Sequence, residues 1–315
     1  MMNQSKKITD GAMLTGIFVL LLIITAFVPM LNISSMLLLP VPFIIYSSRY
    51  SWKPAVIMLL AAIILSLLLA TVFSLPVTIL MGLGGLVIGT AIHHNVSAYE
   101  TLARGTLAFV AGLLFVFVFT QFVFQVNWLA ELEAMYMESM EMSTDIIGQF
   151  STEEQTQELQ AMLEAQISYF TDLFPVLLVV SAVFLALISQ WIGYKFMNRL
   201  EKKELHFPPF RNLQFPSSLI WVYLAAIILS LIEWEPGSIY SLAAQNLLVL
   251  TGLIMAVQGI SFVFFYSYQK ELSKALPILV VVLVILFPTM LLYFMRILGI
   301  IDIGFKLRER MTNDS

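Results

Sequence analysis

The chain has 315 residues, of which 60% are hydrophobic and only 11% charged, with a formal net charge of −4. Soluble domains carry about 25% charged residues, so this balance and a mean hydropathy of +0.92 exclude an ordinary soluble fold. The absence of cysteine rules out a disulfide, a thiolate nucleophile and a Cys-ligated metal.

Lys6 and Lys7 precede an apolar run from Gly11 to Val28. No small-x-small cleavage site follows, and a second apolar run starts at once, so the run reads as an uncleaved first span rather than a secretory signal. A span needs about 20 residues at about 1.5 Å rise each. On that scale the apolar runs predict about nine helices, over 11–31, 33–47, 54–73, 75–92, 103–125, 173–195, 217–232, 241–266 and 276–298. All are read as helix, because lipid offers no partner to an unpaired backbone group and no pattern of short alternating strands occurs. Pro40, Pro42 and Pro288 fall inside spans and predict kinks or unwound turns. The fold class expected is an all-α polytopic transmembrane bundle of about eight or nine spans.

Residues 126–172 interrupt this pattern with ten carboxylates and no Lys, Arg or His. Outside this island the balance reverses, to 16 basic against 10 acidic residues. Cytoplasmic loops collect Lys and Arg. Lys6/Lys7, Arg49/Lys53, Arg104, the group from Lys195 to Arg211, and Lys270/Lys274 fall on one side of the expected topology, and the island and Glu233/Glu235 on the other. The expected protein therefore sits in the bacterial cytoplasmic membrane with its N-terminus cytoplasmic and residues 126–172 outside. Nine crossings leave Lys306, Arg308 and Arg310 on the wrong side. A Pro288-centred re-entrant hairpin over 275–307 would instead return the C-terminus to the basic side. Within the island, Ser151-Thr152-Glu153-Glu154 fits a capping box. Apolar residues at helical spacing on both sides predict an extracytoplasmic acidic helical hairpin.

Chemistry-bearing motifs are sparse. There is no Walker A, His-Glu-x-x-His or Gly-x-Ser-x-Gly sequence, and the spans hold almost no ionisable residue, so no catalytic set, metal or cofactor is expected. His93-His94 reads as a metal or phosphate contact at the inner mouth or as a solvated loop after span four; adjacent residues point apart on a helix, which favours the loop. Glu131, Glu138, Glu141 and Asp145 read as a cation site or as a solvated face that enforces topology. No Asp-x-Asp-x-Asp-Gly loop is present to organise calcium ligands. Gln121 and Gln125, four apart, would share a helix face at the outer end of span five, with Asn127 beyond and Asn32 at the same level. These four are the candidate substrate-binding residues, the other reading being interhelical hydrogen bonds. Gln245, Asn246 and Gln258 carry the same two readings. Small-residue stripes occur at Ala12/Gly16, Gly85/Gly89, Ala108/Gly112, Ala182/Ala186/Ser189/Gly193 and Gly252/Ala256/Gly259. They read as packing seams or as docking faces for another membrane protein.

The stretches KKITDGA, LLLPVPFIIYSSRYSWKPAV, MGLGGLVIG and LGIIDIGFKLRER resemble the YybS-like family of uncharacterised bacterial membrane proteins, over nearly the whole chain. Residues 1–196 are more distantly similar to the S components of energy-coupling factor transporters. That likeness implies six helices, an outer substrate pocket, dependence on a separate ATPase module, and partner contact through Ala12 and Gly16. The 47-residue acidic insertion and the three spans after residue 215 depart from that pattern. The expected organisation is a six-helix core over 1–195 including the hairpin 126–172, a basic cytoplasmic linker at 196–216, and membrane spans and tail over 217–315. The expected function is a non-catalytic substrate-binding or transport-associated subunit, with a scaffold that recruits a partner protein as the alternative. Expected partners are the lipid bilayer and a membrane protein or ATPase module, with no nucleic acid.

Overall fold

The computed structural model describes residues 4–313, other than 129, 132, 133, 136, 139–161, 163–167 and 236. The capping box at Ser151 and most of the expected acidic hairpin lie outside the described residues. Among those described, all regular structure is helical. The helices are α1 (Gln4–Phe27), α2 (Asn32–Leu38), α3 (Pro40–Tyr50), α4 (Trp52–Leu69), α5 (Leu75–His93), α6 (Ala98–Val123), α7 (Phe174–Glu201), α8 (Ser218–Ser230), α9 (Ile239–Gln269), α10 (Ala275–Leu286), α11 (Pro288–Phe305) and α12 (Leu307–Asn313). Among the described residues, eight helical stretches are long and apolar enough to cross a membrane, with 29–50 counted as one, while α8 and α10 are shorter apolar helices. The all-α polytopic bundle expected from composition is therefore what the chain forms.

The chain divides into two compact units. The first comprises residues 1–171 and 177–207, and the second 172–176 and 208–315. The helix expected to end at residue 195 runs on to Glu201. Pro40 and Pro288 each stand at the start of a helix, where a missing N–H costs no hydrogen bond.

The first unit is organised around α5. Its glycines are spaced so that a different neighbour meets each. A methyl group at Gly82 would strike Leu59, at Gly84 the ring of Phe109, at Gly85 the carbonyl of Pro40, and at Gly89 Ser47 and the backbone of Ile44. The smooth surface of MGLGGLVIG lets α3, α4 and α6 approach its backbone closely, which is how helices gain attraction where water expulsion does not drive them together. Phe18, Phe43, Ile44, Met81, Ile88 and Phe109 fill the space between and are fully buried.

In the second unit α9 and α11 cross through glycines. Gly252 faces Arg296, Met255 faces Gly299, and Gly259 faces Met295 and Gly299. Further along, Gln258 bonds Asp302 and Ser261 bonds Arg308. The residue numbers rise together along both helices, so the two run parallel and α10 must run back between them. The single span expected over 276–298 is thus two helices, broken where Phe287 leaves the helical region at φ −128°, ψ 61° ahead of Pro288. At about 1.5 Å per residue α10 spans about 18 Å, short of the roughly 30 Å of a hydrocarbon core. This is the hairpin geometry that brings the C-terminus back to the basic end of the unit, beside residues 211–213.

Candidate functional site

Among the described residues, no hydrogen bond joins any two of the four expected substrate contacts. Helix α6 ends at Val123, and Gln125 adopts φ +55°, so Gln121 and Gln125 do not share the helix face that their spacing predicts. Asn127 instead starts the next helical turn, its Oδ1 accepting from the Ala130 amide at 3.2 Å. Asn32 donates to the Thr25 carbonyl at 2.8 Å, tying α2 back onto α1. All four side chains are exposed. Nearby, Phe73 stacks on Phe124, which meets Phe119 edge-on. Ala12 and Gly16 lie on the exposed face of α1, and no neighbouring atom comes within 4 Å of a methyl built at Gly16. His93 Nδ1 lies 2.9 Å from the Ser48 carbonyl, joining the end of α5 to α3.

Each unit contains a cluster of ion-paired side chains. In the first unit, Arg49 on α3 pairs with Asp10 on α1 at 3.1 Å and with Glu201 on α7 at 2.5 Å. Tyr50 donates to the same Asp10 oxygen, and Lys203 pairs with Glu201. One guanidinium thereby ties three helices, a geometry that suits its planar fork better than a lysine point charge. Asp10 and Arg49 come from the KKITDGA and SSRYSW stretches that carry the family resemblance.

The second unit holds the most buried charge. Asp302 on α11 and Gln258 on α9 are 0% exposed, and Arg308 is 6% exposed. Arg308 Nε donates to Asp302 Oδ2 at 2.9 Å, and Gln258 Nε2 donates to the same oxygen. The remaining donors of Arg308 reach the carbonyls of Arg211 and Leu213 at 2.8 and 3.0 Å and Ser261 Oγ at 3.1 Å. Ser261 in turn donates to the carbonyls of Phe210 and Leu213. Gln258 Oε1 accepts from the Phe215 amide. Five of these contacts draw residues 210–215 against Gln258 and Ser261 of α9 and Arg308 of α12. Asn246 does comparable work higher on α9, bonding the Asp172 carbonyl and the Val176 amide. Gln258 and Asn246 therefore act as interhelical hydrogen bonds, one of the two readings that sequence allows.

Two features here are not evident in the sequence. Arg296, midway along α11, lies over Gly252, and its buried Nε has no hydrogen-bond partner among the described residues. The second is a pocket of about 570 Å³ beside the segment that Arg308 holds. Its walls are Phe210, Phe264 and Tyr268 on one side and Pro277 and Ile278 of α10 on the other. Arg211, Lys274, Glu271 and Ser267 supply its polar groups. The Arg211 guanidinium lies 3.8 Å from the Tyr268 ring centroid, a stacking that fixes its plane. Ser267 is buried, and its hydroxyl has no hydrogen-bond partner among the described residues. An apolar hollow with a few placed polar groups is the common form of a small-molecule site.

Comparison with known proteins adds the following. The family model described as "Predicted membrane protein (DUF2232)" matches residues 16–303. The relative named "Uncharacterized protein YybS", from Bacillus subtilis (strain 168), is 26% identical over 311 residues, covering 98% of this chain and all of that one. No solved structure matches, and the likeness to S components of energy-coupling factor transporters is not shown.

Proposed function

Since the chain belongs to the DUF2232 family of predicted membrane proteins, we propose that it is a non-catalytic ligand-binding subunit of the bacterial cytoplasmic membrane, with its site in the second unit. The single observation that carries this reading is the pocket between residues 209–211, the end of α9 and the start of α10. It combines an aromatic wall, two cationic side chains and a buried, unpartnered Ser267 hydroxyl. The site therefore moves from the outer end of α6, where sequence placed it, to a basic end. Ser267 and Glu271 both line this pocket, but the Ser267 hydroxyl is not hydrogen-bonded to a base among the described residues, which supports binding rather than turnover. The positive-inside rule supports a cytoplasmic position for each unit's basic end, with residues 126–172 outside. In the second unit the return of α11 keeps Arg308 and Arg310 consistent with that rule.

The test is native mass spectrometry of the full chain released gently from its membrane. A small molecule retained by the wild type and lost in Ile278→Trp, which fills the pocket from α10, is the expected result. Ile278 is 57% exposed, so the added bulk does not disturb a packed core. A retained molecule that survives Ile278→Trp counts against this site.

A second reading, a membrane scaffold, is favoured by the open space around Gly16 and the exposure of Ala12 on the same face of α1. Gly16→Leu is expected to leave thermal stability within the roughly 0.5 kcal/mol typical of surface changes while displacing a membrane protein that copurifies with the wild type. An unchanged set of copurifying proteins would sink the scaffold.

A further inference from the structure

We infer that the pocket of the second unit takes the phosphate-bearing head of an anionic lipid, an assignment that rests on the binding function proposed above and names its ligand class. The wall chemistry sets the first requirement. Phe210, Phe264, Pro277 and Ile278 present carbon, which a fully hydrated, chain-free anion would not desolvate favourably. The position sets the second. The pocket lies where α9 ends at Gln269 and α10 begins at Ala275, so its floor is built from helix ends and its rim carries Arg211 and Lys274. A ligand seated there must be charged at one end and apolar at the other.

The sign of that charge follows from the partners. Arg211 and Lys274 face the pocket without a carboxylate within 4.0 Å among the described residues, against one acid, Glu271. The other acids of this end are engaged, Asp302 with Arg308 and Glu309 with Lys306. Arg211 is held flat on Tyr268, with its fork available for two oxygens of one phosphate, the bidentate geometry at which guanidinium excels. Its backbone carbonyl is already fixed by Arg308. Ser267 supplies the independent sign of an absent ligand. Ser267 is one of the residues lining the pocket, and its buried hydroxyl has no hydrogen-bond partner among the described residues. A phosphate ester oxygen is the acceptor that would satisfy it, since an unpaired buried hydroxyl is otherwise costly. Lipid tails would continue past Ile278, which α10 exposes.

The full chain, stripped of native lipid by detergent exchange, is titrated in native mass spectrometry with phosphatidylglycerol, phosphatidylcholine and soluble glycerol 3-phosphate. The expected result is one phosphatidylglycerol adduct, favoured over phosphatidylcholine and not displaced by excess glycerol 3-phosphate. Arg211→Gln with Lys274→Gln should lower its occupancy by about tenfold or more, and Glu271→Gln should raise it. Because Arg211→Gln keeps the carbonyl that Arg308 holds, an unchanged melting temperature separates lost binding from lost fold. Equal occupancy by both lipids, or indifference to the double substitution, overturns the anionic assignment. Glycerol 3-phosphate competing as an equal overturns the lipid. An adduct of other chemistry that vanishes in Ile278→Trp overturns this inference while leaving the proposed binding function in place. Absence of any adduct sensitive to Ile278→Trp overturns both.

Discussion

Replacing Arg308 with alanine is expected to release residues 210–215 and to destabilise the second unit by about 3–5 kcal/mol, the usual cost of removing one partner from a buried charge pair. The side chain satisfies one carboxylate, two backbone carbonyls and one hydroxyl, in a site where Arg308 itself is 6% exposed. Alanine leaves Asp302, already carrying one unpartnered buried oxygen, as an uncompensated charge beneath α9. It also frees the carbonyls of Arg211 and Leu213. Arg308→Lys should be only a partial rescue, because three donors on one nitrogen cannot span acceptors set around a planar fork. Asp302→Asn with Arg308→Met should cost less than Arg308→Ala alone, since no buried charge then lacks its partner. The change is local, so the sharpest measurement is trypsin cleavage after Arg211, with cleavage after Lys202 and Lys203 in the first unit as the internal control. The bond after Arg211 should be cut at least about tenfold faster in Arg308→Ala, each 1.4 kcal/mol corresponding to about a factor of ten. Cleavage at the wild-type rate would show that the segment is held by something other than this arginine. The ligand pocket shares Phe210 and Arg211 with the segment, so its occupancy should fall in the same variant.

Why this latch was invisible in the sequence is instructive. Asp302 and Arg308 are six apart, and at about 100° per residue such a pair lies on well-separated faces of a continuous helix. They meet because α11 stops at Phe305 and Lys306 takes the left-handed conformation, φ 50°, ψ 47°. That break turns α12 back so that its second residue reaches the preceding turn. No Gly or Asn marks the position, so the local residues gave no signal of it. The helix face expected to be shared by Gln121 and Gln125 is lost for the same reason in reverse, a positive φ at Gln125 following a helix that spacing alone would have continued. Spans were legible because their apolar length is imposed by the bilayer and needs no partner to be recognised. Which face of each span packs inward was not legible, since lipid and core are equally apolar and periodicity loses its contrast. Gly16 and Gly89 look alike in the sequence, yet one opens on empty space and the other on the backbone of Ile44. The Pro288 break was readable from proline chemistry, but its consequence, a parallel α9–α11 pair, needed the contacts of Gly252, Gly259 and Gly299.

Substituting Gly299 with leucine is expected to be the most damaging single change in the second unit outside its charged latch. The two helices touch backbone to backbone here. A methyl at Gly299 would land on the Met255 carbonyl, and one at Gly259 on the Met295 carbonyl. Neither obstacle is a side chain that could rotate aside, so the helices must separate. Ordinary overpacking costs about 1–3 kcal/mol where rotamers can adjust; a rigid obstacle places this variant at or above the top of that range. Separation carries further losses, because Gln258–Asp302 and Ser261–Arg308 span the same crossing. Leucine at Gly304 is the matched control. It lies one turn and a residue further along α11, and its nearest neighbour is Ile220 Cδ1 at 3.7 Å, ordinary contact distance. In fluorescence-detected size-exclusion runs after stepwise heating, Gly299→Leu should lose its monodisperse peak at a markedly lower temperature, whereas Gly304→Leu should follow the wild type. Equal behaviour of the two variants would mean that α9 and α11 are not in backbone contact. The parallel pairing, and with it the return of the C-terminus to the basic end, would then have to be abandoned.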